Sequence, residues 1–372
     1  MPLVFLNFPY PARKNLVDQM SKTELLRVSL QSTQANKALQ ECGKNNISFY
    51  NLNPSEMQEL NPFDQAELFL AEAERQGILP EWDIFLCAEV SKKFVFTLKN
   101  IDKNFRAPIE VDSIDNIDSY VGVRKNLKIR DNFVPIIITN EKKVVSFWDS
   151  KTDGLIFVLQ YFAERFGMTI GYLELRNDGS PSYSDNLRSI IRACSEISIK
   201  NVFVAHGKDD QDGRKLALSA DDYKFVMENL TATGTFKTVL KTSKNFKFDG
   251  VIKAKKIEIE NGHWFNIKHL LEWDDYKKLE VKGKNFTVKE LRMFLEKWVA
   301  GGFPKLKQLT LETKQMLDKV TDGFAQRTDI QVPVRLRTTV IRIKGPGERY
   351  ATVWPGLSNP GFNMSIEYQA FE

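Results

Sequence analysis

The stretch GKDDQDG, Gly207–Gly213, gathers three carboxylates in seven residues, the composition of a calcium loop. Setting Gly213 at the sixth position of such a loop puts Lys208 first and Ser219 twelfth. Two required oxygen ligands are then missing, and an acidic surface turn is the plainer reading. His206, His263 and His269 are the only imidazoles, and Cys42, Cys87 and Cys194 the only thiols. None pair at metal-ligand spacing, and an odd cysteine count argues against a disulfide framework. His263 and His269 fall on a turn and a helix, where a histidine is more often structural than catalytic. Asp221 and Asp222 follow Ser219, a helix cap, and complement a helix N-terminus. No P-loop, GxSxG elbow or HExxH helix occurs. We expect no catalytic residue, no metal site and no cofactor: this chain works by binding, not as an enzyme.

Something must then be bound, and composition limits the choices. With 372 residues, 42% of them hydrophobic, and 26 Phe, the chain has core material for two or three folded units. Its net charge of +5 is too small to imply nucleic acid, but from Phe236 to Lys314 there are 18 lysines and arginines against 10 acids. Most alternate with apolar residues, as on a solvated face, so nucleic acid is not expected as a partner, although a nucleic-acid-binding solenoid remains an alternative. The opening MPLVFLNFPYPARK has no basic leader region, and its apolar run is broken by Asn7 and two prolines. The longest apolar run, GLIFVLQYF, is far short of the ~20 residues of a membrane span. The expected setting is intracellular, cytoplasmic or nuclear, without a membrane.

Near the N-terminus, Pro11 stands where a helix starts, and Leu16, Val17 and Met20 form one apolar stripe. Ser21 and Glu24 make a capping box that opens a second helix with Leu25, Leu26 and Leu30, and a third runs from about Thr33 to Glu41. About forty residues cannot hide so many apolar faces. The surplus meets either the rest of the chain or another protein.

The pattern from Pro2 to Leu39 resembles an F-box of the divergent nematode type: Phe8-Pro9 for the Leu-Pro opening, Leu16-Val17 and Met20 as anchors, Glu24-Leu25-Leu26 for the turn into the second helix, then Leu30 and Ser32. Phe8 replaces the family's usual leucine, and Asn36 stands where a Trp is common. The resemblance implies that Phe8, Pro9, Leu16, Val17, Met20, Leu25, Leu26 and Leu30 dock on a Skp-family adaptor and, through it, a cullin.

Further on, NPFDQAELFLAEAERQG, Asn61–Gly77, reads as a capped helix, and DIFLCAEV, KFVFTL, VPIIIT and VVSFW read as a small sheet. Beyond Asp153, helical runs alternate with strands, and one strand phase recurs at Leu173, Val202, Ile257, Leu279 and Leu309, with a double step where a strand near Phe236 fits. This is the spacing of irregular leucine-rich repeats. VRLRTTVIRIKGPGERYATVWPG and FNMSIEYQ return to strands around Gly345-Pro346-Gly347 and cap the series.

The block from Ser146 also resembles the F-box-associated domain of the same nematode proteins, most closely in Thr287–Glu312 through Trp298, Gly301, Gly302, Pro304, Leu306 and Leu309. The expected fold is therefore mixed α+β and α/β. It comprises a three-helix F-box (1–44), a helical insert and β-rich linking segment (45–150), and a leucine-rich-repeat-like αβ solenoid with a β-hairpin cap (151–372). The function implied is substrate recognition for an SCF-type ubiquitin ligase, with an unknown protein as target. A repeat-based binding module without a ligase role is the alternative. Alternation along the repeat strands turns Glu174, Phe203, Glu258, Glu280 and Thr310 to the open face, where a substrate would bind.

Overall fold

A computed structural model describes residues 8–31, 33–44, 68, 82–91, 93–100, 106–129, 132–140, 144–166, 169–177, 182–207, 217–326, 340–355 and 361–368. The chain is mixed α/β and falls into two units, Met1–Leu86 with Lys92–Met168, and Cys87–Ser91 with Thr169–Glu372. The helix expected over Asn61–Gly77 lies outside the described residues apart from Leu68, and so does the acidic loop after Gly207.

In the first unit, α1 (Tyr10–Gln19), α2 (Lys22–Gln31) and α3 (Thr33–Glu41) follow the apolar stripes and the cap. Ser21 N–H donates to Glu24 Oε2 at 2.8 Å, and Glu24 N–H returns to Ser21 Oγ at 3.3 Å, which satisfies two orphan donors of α2. Val17, Leu25, Ala38, Leu39 and Cys42 form the interior of this packet.

The strands here are β1 (Trp82–Ser91), whose last five residues group with the second unit, β2 (Lys93–Asn100), β3 (Arg106–Ser113), β4 (Gly122–Ile129), β5 (Asn132–Thr139) and β6 (Val144–Trp148). β3 pairs antiparallel with β2 and parallel with β6, and β5 lies antiparallel between β6 and β4. The helix α4 (Lys151–Phe166) packs on β3 and β6, so the boundary expected at residue 150 falls instead after Met168.

The second unit runs β7 (Thr169–Arg176), α5 (Tyr183–Ser195), β8 (Ile199–Ala205), α6 (Ala220–Asn229), β9 (Thr231–Thr238), β10 (Lys253–Ile259), α7 (Ile267–Glu272), β11 (Lys278–Val281), α8 (Val288–Val299) and β12 (Gln308–Glu312). All six strands are parallel neighbours in chain order. Leu173, Val202, Phe236, Ile257, Leu279 and Leu309 share one ladder row, and each is buried. Between β9 and β10 there is no helix, and Leu240, Phe246, Phe248 and Ile252 supply the buried apolar side chains of that connection.

After α9 (Leu317–Thr321), β13 (Ala325–Gln326), β14 (Ile341–Lys344), β15 (Arg349–Pro355) and β16 (Gly361–Tyr368) form an antiparallel meander. Its last strand, β16, pairs antiparallel with β12. The cap is thus three strands and a short fourth rather than a single hairpin.

Candidate interaction surfaces

Among the described candidates for chemistry, His269 and Cys194 serve the fold. His269 is 2% exposed. Its Nδ1 accepts from the Asn266 N–H at 3.1 Å, so its Nε2–H must be the donor to the Phe248 carbonyl, which fixes one neutral tautomer. The ring lies among Phe248, Trp264, Phe265 and Trp273. Burial holds it below its ordinary pKa of 6.5, against the weaker opposing pull of the Phe248 carbonyl, Asp249 and Glu272. A depressed folded pKa gives stability that is complete above 6.5 and is lost as pH falls through the folded value. The unfolding midpoint of the second unit is therefore expected to drop between about pH 7 and pH 5. His269→Gln, which titrates in neither state, should flatten that slope, and thermal melts across the range test it.

Cys194 is buried, and loss of solvent pushes its thiol up to about 12, so it is inert; Cys42 is also buried. The side chain of Cys87 lies outside the described residues. Among the described residues there is no group of three or more His, Cys, Asp or Glu that could hold a metal ion, and no helix is long and apolar enough to cross a membrane.

The first candidate surface is on the helical packet. Phe8, Tyr10 and Leu16 are exposed at 41%, 47% and 38%, large apolar groups close together in sequence, with Pro9 exposed between them. Val17, Leu25 and Leu26 are buried, Val17 and Leu25 within the packet's interior. Met20 packs partly against the interior, and Leu30 is half-buried. Arg13 and Lys44 pair with Glu41 and Asp18 at 3.8 and 3.1 Å, and the Tyr10 hydroxyl donates to the Glu41 carbonyl at 3.4 Å. These contacts tie α1 to the end of α3 and the residues after it, through Tyr10 and Arg13 at its start and Asp18 near its end.

The second candidate surface is the open face of the parallel sheet. Glu174, Phe203, Glu258, Glu280 and Thr310 lie in one ladder row, with Lys237 between Phe203 and Glu258 and Asn363 after Thr310. Sequence reading brought the five together but left out Lys237, whose strand shows only as a double step.

The carboxylates of the row are not free. Glu258 pairs with Lys237 at 3.6 Å and Lys278 at 3.2 Å, and Glu280 pairs with Lys278 at 3.3 Å and Lys282 at 3.1 Å. Lys282 also holds Glu260, and Glu174 pairs with Arg176. Partial burial alone would raise the Glu280 carboxyl, but hydrogen bonds from Lys282 and Lys278 outweigh it and hold the group below its usual range. Burial would likewise lower Lys278, and its bonds to Glu258 and Glu280 outweigh that and raise it. The middle of the face is an ion-pair lattice, neutral and internally satisfied.

Residues 243–311 match the family of domains described as F-box associated. The Skn-1 dependent zygotic transcript 15 protein of Caenorhabditis elegans is 22% identical to the chain over 186 residues, 48% of this chain and 51% of that protein. The chain thus spans about half the length of this curated relative. No solved structure matches.

Proposed function

We propose that the chain is a substrate-recognition subunit of an SCF-type ubiquitin ligase, with α1–α3 acting as an F-box on a Skp-family adaptor and the second unit presenting a target. The observation that carries this reading is the F-box-associated match at residues 243–311, placed after a three-helix packet that leaves Phe8, Tyr10 and Leu16 exposed. Six parallel strands, with helices in four of the five connections, support reading the second unit as a leucine-rich-repeat-like scaffold suited to protein binding. The adaptor would link to a cullin and a ubiquitin-charged enzyme. Holding a target beside that enzyme turns a bimolecular transfer into a nearly unimolecular one, so the chain needs no catalytic residue.

Leu16 gives the cleanest test, because it is already exposed and its replacement leaves the packet's interior intact. Met20 packs against that interior, so a charge there would confound folding with binding. In the full chain, Leu16→Asp is expected to weaken adaptor binding by about a hundredfold, since docking would bury an unpaired charge. The helical melt should not change. Calorimetric titration of a purified Skp-family adaptor reads this out. Equal binding by the parent and the variant refutes the adaptor surface. Absence of binding by the parent leaves a repeat-based binding protein without a ligase role.

A further inference from the structure

The ion-pair lattice leaves a cationic remainder at one edge of the sheet. The Lys277 N–H donates to the Lys255 carbonyl at 2.7 Å, and the Lys307 N–H donates to the Lys277 carbonyl at 2.8 Å. These three lysines are therefore lateral neighbours, Lys255 inside β10 and Lys277 and Lys307 immediately before β11 and β12. At a strand spacing of about 4.8 Å they span roughly 10 Å. Lys253 and Lys256 sit on β10 beside them. All five are exposed, and none has an ion pair among the described residues. Lys278, one ladder row further in, is by contrast shared between two glutamates.

Next to this row is a pocket of about 280 Å³ whose lining includes Val251, Trp273 and Tyr276, the cations Lys253 and Lys255, and the acids Glu272, Asp274 and Asp275. Tyr276 is 2% exposed, and its hydroxyl has no partner among the described residues. Val251 is 48% exposed at the same place. Exposed lysines without an ion pair thus lie beside a recess that is apolar at Val251, Trp273 and Tyr276.

We infer that this edge binds a short acidic segment of a protein, its carboxylates on Lys255, Lys277 and Lys307 and an adjoining apolar side chain in the pocket. In an extended peptide, side chains on one side recur about every 6.8 Å, so two or three carboxylates cover the row. A nucleic acid fits less well. Asp275 is tied to Lys305, but Glu272, the last residue of α7, and Asp274 just after it line the pocket and confine favourable anion contact to the lysine row, which admits a short acidic segment better than a long polyanion. Moreover, among the described residues of the second unit no Phe, Tyr or Trp is one of the exposed large side chains that could stack on bases. The inference goes beyond the ligase reading, because the edge would bind its segment whether or not an adaptor is engaged.

Fluorescence anisotropy of the full chain with a labelled Glu-Glu-Leu-Glu-Glu-Leu peptide tests it, with the Gln-Gln-Leu-Gln-Gln-Leu peptide and a twelve-nucleotide oligothymidine as the other arms. The acidic peptide is expected to bind, and Lys277→Glu with Lys307→Glu to weaken it by about tenfold or more with an unchanged melt. The equal charge change Lys289→Glu with Lys319→Glu, at exposed helical positions, should leave binding within about twofold. The inference is overturned if the acidic peptide does not bind or binds no better than its amide counterpart. Equal weakening by the two double variants, or tighter binding of the oligonucleotide with the same lysine dependence, overturns it as well.

Discussion

Trp298→Ala is expected to cost the second unit about 3–5 kcal/mol, the usual range for truncating a fully buried large aromatic. Trp298 has no exposed surface and sits near the end of α8, where the helix must stop and the chain turn toward β12. Gly301, at φ +100°, makes that turn, and Phe303 follows at φ 55° with its ring buried against Phe294 and Tyr276. The indole also forms the floor under the β14–β15 turn. A Cβ on Gly345 would come within 2.6 Å of the ring, and the Arg349 guanidinium lies 5.8 Å from its centroid. Arg349 then donates to the Phe303 carbonyl at 2.9 Å and closes the circuit. The indole N–H has no partner among the described residues, so truncation breaks no hydrogen bond, and the expected loss is one of packing. Chemical denaturation with a probe of the second unit would read it. A loss below about 1 kcal/mol would mean that the meander does not rest on this ring. Gly345→Ala presses on the same contact from the other side and should cost about 1–3 kcal/mol by overpacking.

Much of the second unit was legible because each repeat strand carries its own signal. Two apolar residues flank one polar residue in YLELR, KIEIE, KLEV and QLTLE, and a side-chain period of two needs no knowledge of neighbours. What required neighbours was not legible. The sequence shows β16 as a strand, but its place beside β12 is a non-local choice that no local pattern records. The run GLIFVLQYFAERF announces α4, yet an apolar stripe does not say which sheet will cover it, and it belongs with β3 and β6. β3 was missed because Pro108 interrupts it, and β4 because it is mostly polar, with Val123 left exposed. At the candidate site, the row from Glu174 to Thr310 followed from alternation alone. That Glu258 and Glu280 are consumed by Lys237, Lys278 and Lys282 depends on register between strands. The carboxylates expected to meet a partner on that face are therefore already paired with lysines of the same face.

Asp222 was read as a carboxylate complementing the start of a helix, and its larger role is to join two helices. It is 4% exposed in the first turn of α6. It accepts from Ser184 Oγ at 2.6 Å and Arg188 Nε at 3.1 Å, both on α5, and from Ser219 Oγ at 2.7 Å, while its own N–H donates back to Ser219 Oγ at 3.1 Å. Burial taken alone raises the carboxyl, but the bonds from Ser184, Ser219 and Arg188 outweigh it and hold the group below its ordinary 3.8. A folded pKa below the unfolded one gives stability that is fully present above the unfolded value and is lost as pH falls through the folded one. Asp222→Asn keeps the shape, removes the charge and puts an amide donor among groups that are themselves donors. It is expected to cost about 2–4 kcal/mol at pH 7. The full cost of breaking a deeply buried pair is not reached, because the Arg188 side chain is 35% exposed and water can take it up. The parent's advantage should shrink as the medium is acidified below about pH 4, where the unfolded chain's carboxylate begins to take up a proton before the folded one does. Urea unfolding of parent and variant at pH 7 and near pH 3 decides the matter. A difference that does not change with pH would show that Asp222 acts through its shape and not its charge.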